Sequence, residues 1–108
     1  MIGYTPDASR DILRPYLQLL DSSARAAESF ATRLALAERR IDPRPLKYRR
    51  LSDPGTRRYG FKLNRTSYLI DYRIEPTHVV ILRVWHGRQD RPVKSWSGAE
   101  TLGALPRA

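Results

Sequence analysis

The sequence predicts an α+β fold in which an N-terminal helical hairpin packs on a small antiparallel sheet. Up to residue 41 the apolar residues recur every three to five positions, and from residue 57 they recur at every second position. These are the spacings of amphipathic helices and of half-buried strands. With 108 residues, 41% of them apolar, the chain has the size and composition of one domain. We expect a single domain over residues 1–91 and a C-terminal tail over residues 92–108.

Two helices are predicted before residue 42. Thr5-Pro6-Asp7 is typical of a helix start, with a cap, a proline in the first turn and an acid near the positive end of the dipole. Pro15 removes a backbone donor, so this helix either kinks there or forms two pieces. Asp21-Ser22-Ser23 supplies caps for the second helix. The predicted buried faces are Ala8, Ile12, Leu13, Tyr16, Leu17 and Leu20, then Ala27, Phe30, Ala31, Leu34, the stem of Glu38 and Ile41.

Three strands are predicted from residue 57, joined by turns at Asn64-Arg65-Thr66 and Glu75-Pro76-Thr77 into an antiparallel meander. Residues 1–5 are long enough only for an edge strand. Residues 42–56 contain three prolines, which predicts a basic connector with little regular structure. In the third strand, alternation predicts Val80, Leu82 and Val84 on the helix-facing side and Val79, Ile81, Arg83 and Trp85 on the other.

The charge of the chain predicts an acidic partner. The formal net charge is +9, and residues 33–65 alone carry eleven basic and three acidic residues, so the positive field is regional. Within this region the pairs Arg39-Arg40 and Arg49-Arg50 either contact phosphates or form solvated surface, the first pair also favouring a helix C-terminus.

Several classes of protein are excluded by composition. There is no cysteine and there are only two histidines, too few for disulfides, a thiolate nucleophile or a histidine-based metal site. Glycine-rich phosphate loops are absent, so no cofactor is expected. Apolar runs span only a few residues and no signal peptide is recognisable, which favours a cytoplasmic protein.

Basic side chains gather on or near the predicted sheet. Alternation places four of them, Arg58, Lys62, Arg73 and Arg83, on the face away from the helices. A metal-independent ribonuclease needs proton carriers and cations around the scissile phosphate. The candidate set for that chemistry is Arg65, Arg73, Arg83 and His86. The simpler interpretation is a surface of solvated or partner-facing arginines, with His86 ending a strand, and we favour it because only one histidine is well placed.

The stretch Tyr68–Asp90, YLIDYRIEPTHVVILRVWHGRQD, resembles the RelE/ParE superfamily of bacterial toxins, and its end, ILRVWHGRQD, is similar to the ParE branch. The upstream elements follow the family's order more weakly, so the resemblance covers about residues 1–91. It implies a helical hairpin on one face of a curved antiparallel sheet. It also implies the toxin of a type II toxin–antitoxin system, suppressed by an antitoxin whose C-terminal segment wraps it.

The resemblance implies two alternative targets. ParE-like members are associated with inhibition of DNA gyrase, and RelE-like members cleave messenger RNA on the ribosome. No tyrosine follows Trp85 and the second strand has no lysine pair, departures from the nuclease pattern that favour gyrase as target and a ParD-like antitoxin as partner. A non-toxic nucleic-acid-binding module is a third hypothesis. Gyrase inhibition, the favoured hypothesis, needs no catalytic residue, and the partner-binding residues expected for it are Arg58, Arg83, His86, Arg88 and Trp96.

Overall fold

A computed structural model describes residues 1–53 and 55–87, and it confirms the α+β prediction. Two helices pack on one face of a five-stranded mixed sheet with the strand order β1-β5-β4-β3-β2. The edge strand β1 is parallel to β5, and all other neighbours are antiparallel. The elements are β1 (Ile2–Tyr4), α1 (Pro6–Ser22), α2 (Ala24–Ile41), a 3₁₀ turn (Pro45–Lys47), β2 (Arg49–Arg50), β3 (Thr56–Leu63), β4 (Thr66–Ile74) and β5 (Val79–His86).

Thr5 joins β1 to α1 and fixes both against β5. Its backbone N–H donates to the carbonyl of Ile81 at 3.0 Å, and its hydroxyl donates to the carbonyl of Leu82 at 2.7 Å. The same hydroxyl oxygen accepts from the N–H of Ala8 at 3.0 Å, which is the predicted N-cap. Helix α1 then continues through Pro15 as one element, which excludes the second of the two alternatives, a helix in two pieces.

The buried face of α1 agrees with the predicted one only in part, because of the predicted residues only Ala8, Ile12 and Tyr16 belong to the core or pack against it. Ala8 and Asp11 are buried, whereas Leu13, Leu17 and Leu20 are 54%, 49% and 43% exposed. Two sets of residues on this helix have helical spacing. The set that contains Ala8 and Asp11 packs against the sheet, and the set Leu13, Leu17 and Leu20 does not. In α2 the prediction holds for four of its residues, and Ala37 replaces Ala31 in the core. The buried residues of α2 are Ala27, Phe30, Leu34, Ala37 and Ile41.

A β-bulge changes the predicted faces of β5. Asp71 pairs with Arg83 and Tyr72 pairs with Ile81, so Leu82 has no partner residue on β4. One extra residue exchanges the two faces of a strand. Val79 and Ile81 therefore lie in the helix-facing core together with Val84, and the predictions for Val79, Val80, Ile81 and Leu82 are wrong. Beyond the bulge, Arg83 and Trp85 occupy positions on the face away from the helices, as predicted, but the Arg83 guanidinium reaches back to Asp11 on α1.

Polar side chains fix the backbone of the connector. One guanidinium nitrogen of Arg57 donates to the carbonyls of Leu46 and Tyr48, at 3.1 and 2.9 Å. The hydroxyl of Tyr72 donates to the carbonyl of Pro45. The regular structure of the connector is limited to a three-residue 3₁₀ turn and the two-residue strand β2, in line with the little regular structure that was predicted.

Within the described residues, no helix is both long and apolar enough to cross a membrane.

The stability of the fold is expected to fall above pH 10 through Tyr72. Burial raises the pKa of its hydroxyl from 10 to about 12, so between these values the folded state holds a proton that the unfolded state has lost. Stability therefore decreases as the pH rises through this window and is unaffected below it. In Tyr72→Phe this part of the decline should be absent, at a cost of about 1 kcal/mol near neutral pH for the lost hydrogen bond.

Urea denaturation at pH 8 to 12 measures this decline. Tyr4→Phe is the control, because Tyr4 is 40% exposed and its substitution should leave the pH dependence unchanged. Equal pH slopes for Tyr72→Phe and the parent chain would contradict the assignment.

Candidate partner-binding surface around strand β5

Strand β5 has a partly open edge. β1 pairs with β5 only from Val79 to Ile81, and beyond this point the described residues place no strand on that side. Two side chains satisfy the backbone there. Thr5 binds the Leu82 carbonyl, and the Asp11 carboxylate accepts from the N–H of Val84 at 2.9 Å.

Asp11 also binds Arg83 through two parallel hydrogen bonds. The Nε–Oδ2 distance is 2.7 Å and the Nη2–Oδ1 distance is 3.1 Å. The hydrogen bond to Asp11 raises the pKa of Arg83. The guanidinium carbon lies 4.5 Å from the centre of the Trp85 ring, an arrangement that favours a cation–π contact. With 33% of its side chain exposed, Arg83 presents a fixed positive surface next to an indole.

Arg58 lies in the same row of the sheet and is buried. Arg58, Asp71 and Arg83 occupy paired positions on β3, β4 and β5. The Arg58 guanidinium forms two hydrogen bonds to Asp71, at 2.6 and 3.0 Å, and the Trp85 indole N–H donates to the same carboxylate at 2.7 Å. Arg58 is only 6% exposed, so its prediction as a partner contact does not fit the structure. It binds Asp71, which also binds the Trp85 indole, and in this way it helps to fix the ring against which the Arg83 guanidinium packs.

His86 faces the helix side of the sheet, opposite to Arg83. Its ring meets that of Tyr68 edge-on, with 5.4 Å between the centroids. Gly87 follows, where a Cβ atom would lie 2.9 Å from the carbonyl oxygen of Ser67, so the chain requires a glycine there. His86 thus ends β5 with its ring oriented toward α1.

A cavity of about 220 Å³ separates His86 from α1. Pro15 has no N–H, so the carbonyl of Asp11 lacks its helical donor on this side of α1. Burial raises the pKa of the Tyr68 hydroxyl above its usual value. The lining residues are Asp11, Arg14, Pro15, Gln18, Tyr68, Val84 and His86.

The residues of the ribonuclease hypothesis are not brought together on one face. Arg73 and Arg83 lie on the face opposite to His86, and each is bound to a carboxylate, Arg73 to Asp53 at 3.5 Å. Arg65 is exposed in the turn between β3 and β4. In the described part of the chain no group of three or more acidic, histidine or cysteine side chains is arranged to hold a metal ion. The remaining predicted partner residues, Arg88 and Trp96, lie outside the described residues.

Comparison with known proteins identifies the family. A family model described as the ParE toxin of the type II toxin–antitoxin system, parDE, matches residues 2–91. This chain belongs to the ParE toxin family. The toxin is also 30% identical over 84 residues to Toxin RelE1 of Caulobacter vibrioides. These 84 residues cover 78% of this chain and 89% of the relative. The family implies that the partner of this toxin is an antitoxin.

Sequence reasoning missed the two carboxylates on which the site depends. Asp11 accepts hydrogen bonds from Arg83, and Asp71 accepts them from Arg58 and from the indole of Trp85. Asp11 left a recognisable signal, because it lies one helical turn from Ala8 and from Pro15, on the side of α1 that packs. Asp71 left a weaker one, as an acid between Ile70 and Tyr72, two residues of the predicted core-facing side of the strand.

Replacing Asp11 should destabilise the toxin. Asp11→Ala leaves Arg83 without its carboxylate and Val84 without an acceptor, for an expected loss of about 2–3 kcal/mol. Asp11→Asn retains an oxygen for Val84 and should lose less. The measurement is the free energy of unfolding in urea.

Asp21→Ala on the same helix is the matched control, because Asp21 is exposed and a surface substitution costs within about 0.5 kcal/mol. A loss for Asp11→Ala no larger than that of the control would show that Asp11 does not hold α1 to β5.

Proposed function

We propose that this toxin inhibits DNA gyrase through a binding surface at the end of β5 and that a ParD-like antitoxin neutralises it. The observation that carries the proposal is the separation of the candidate nuclease residues. Cleavage of RNA without a metal needs a proton carrier and cations around one phosphate. Here His86 lies on the opposite face from Arg73 and Arg83, and both arginines are bound to carboxylates. This arrangement supports binding rather than catalysis.

The proposed gyrase-binding region is the end of β5, where Arg83 and His86 lie on the two faces of the strand, together with Arg88 and Trp96, which follow them in the sequence. Arg83 offers a fixed cation beside Trp85, and His86 borders the cavity against α1. A preorganised arginine next to an aromatic ring is typical of residues that dominate binding energy. Arg58 is left out of this surface because it is buried.

The proposed antitoxin carries acidic and apolar residues. The net charge of +9 favours fast association with an acidic segment. Three leucines on the outward side of α1, Leu13, Leu17 and Leu20, are about half exposed. They have the spacing at which one helix presents a continuous apolar stripe to another.

Purified toxin should inhibit the supercoiling of relaxed plasmid by gyrase. His86→Ala and Trp96→Ala should each weaken this inhibition about tenfold, which is the loss expected for a residue that contributes strongly to an interface. His78→Ala is the control for the histidine, because His78 precedes β5 at its other end and should not affect inhibition. The readout is the toxin concentration that halves the supercoiling rate.

Translation of a defined message by ribosomes in the presence of the toxin tests the alternative. Gyrase unaffected at all toxin concentrations, together with message cleavage that is lost in His86→Ala, would replace the gyrase proposal with the RelE-type endonuclease.

A further inference from the structure

Five exposed cations near the end of α2 are not part of the surface around β5. We call them the basic connector surface: Arg39, Arg44, Lys47, Arg49 and Arg50. Within residues 1–53 and 55–87, none of them forms an ion pair, whereas Arg58, Arg73 and Arg83 each do. These five positive charges are therefore not compensated by any ion pair in the described part of the chain.

The acidic groups nearest to this surface in the sequence are engaged elsewhere. Asp42 binds the N-terminal ammonium of Met1 at 2.7 Å, and Asp53 lies 3.5 Å from Arg73. Glu38 is partly buried, which raises its pKa, and in the described part of the chain it forms no ion pair with these cations. The five cations thus form a field with little internal neutralisation.

The backbone that presents these cations is held in place. Arg57 fixes the carbonyls of Leu46 and Tyr48. The hydroxyl of Tyr48 donates to the carbonyl of Arg40 at 3.4 Å, and the Arg40 guanidinium donates to the hydroxyl of Tyr59 at 3.3 Å. A partner that binds here needs to order side chains but not the chain, which lowers the entropic cost of binding.

Helix stabilisation does not explain the cluster. Arg39 lies in the last turn of α2, where a cation interacts favourably with the helix dipole. That effect falls off within one turn, and Arg44, Lys47, Arg49 and Arg50 lie beyond the helix. Lys47 lies over the ring of Tyr48, 5.6 Å from its centroid, and within the described residues the side chains of Arg44, Arg49 and Arg50 form no hydrogen bond, ion pair or ring contact.

The composition of the surface favours duplex DNA over single strands and peptides. Single-strand binding uses exposed aromatic rings, but Tyr48, the one aromatic residue of the segment 39–50, is half-buried with its ring edge-on to Tyr59 at 4.7 Å. A peptide interface needs buried apolar anchors, and Leu46 is the single large exposed apolar residue of this segment. Arginines match phosphate oxygens in pairs.

We propose that the basic connector surface binds the phosphate backbone of duplex DNA without sequence preference. Through this contact the toxin binds directly to the DNA on which gyrase acts, independently of its contact with gyrase. That biological role rests on the proposed function, whereas the binding itself does not require gyrase.

The test is the anisotropy of a labelled duplex of about 30 base pairs, titrated with purified toxin at several salt concentrations. Each neutralised phosphate contributes about −0.9 to the slope of log affinity against log salt, so five contacts predict a slope of about −4 to −5. Arg49→Gln/Arg50→Gln should reduce its magnitude by about 2 and weaken binding at least about tenfold at 100 mM salt.

Arg10→Gln/Arg25→Gln is the matched control. It removes the same charge from exposed positions on the two helices and should leave the slope unchanged. Circular dichroism confirms that both variants are folded. Equal losses in the two variants would overturn the proposal, because net charge would then explain the binding.

A labelled polyglutamate of about the same charge is the competing ligand. Tighter binding of this peptide than of the duplex, lost in Arg49→Gln/Arg50→Gln, would overturn the proposal in favour of an acidic protein partner. Inhibition of gyrase without measurable duplex binding would overturn this proposal and leave the gyrase proposal standing, so the two fail separately.

Discussion

The Asp11 carboxylate is the interaction on which the arrangement around β5 depends. It is buried on α1, yet it completes the backbone of a strand distant in sequence by accepting from Val84, and it holds Arg83 with two hydrogen bonds. Because a buried carboxylate is tolerated only with such donors, α1 can pack here only when the end of β5 is in place. The helix, the open strand edge and the exposed arginine are therefore formed together.

A second buried carboxylate repeats this logic on the other face of the sheet. Asp71 binds Arg58 and the indole of Trp85, and Trp85 in turn lies beneath Arg83. The two acids divide the cations of this protein into two kinds. Those near β5 are fixed by carboxylates and are suited to shaped recognition, while those of the connector are uncompensated and are suited to a polyanion. The cations behind the net charge of +9 thus belong to two surfaces with different chemistry.

Much of the fold followed from periodicity and turn residues. The helical hairpin, the meander, the Thr5 cap and the edge strand were all predictable, because each depends on residues close in sequence. The packed face of α1 was predictable only in part: Ala8, Ile12 and Tyr16 pack as expected, but Leu13, Leu17 and Leu20 also have helical spacing and are about half exposed. The bulge at Leu82 was also hidden, because an apolar strand shows no alternation from which an inserted residue could be detected.

The sequence by itself determined the fold class, the family resemblance and the concentration of charge in residues 33–65, because composition, period and local motifs are properties of the chain. Only the tertiary structure decided which cations are available. Arg58 and Arg50 look alike in sequence, yet one is buried against Asp71 and the other is exposed on the short strand β2. The physical reason is that charge compensation in a folded protein depends on partners far apart in sequence, and only the packed sheet and helices bring them within hydrogen-bonding distance.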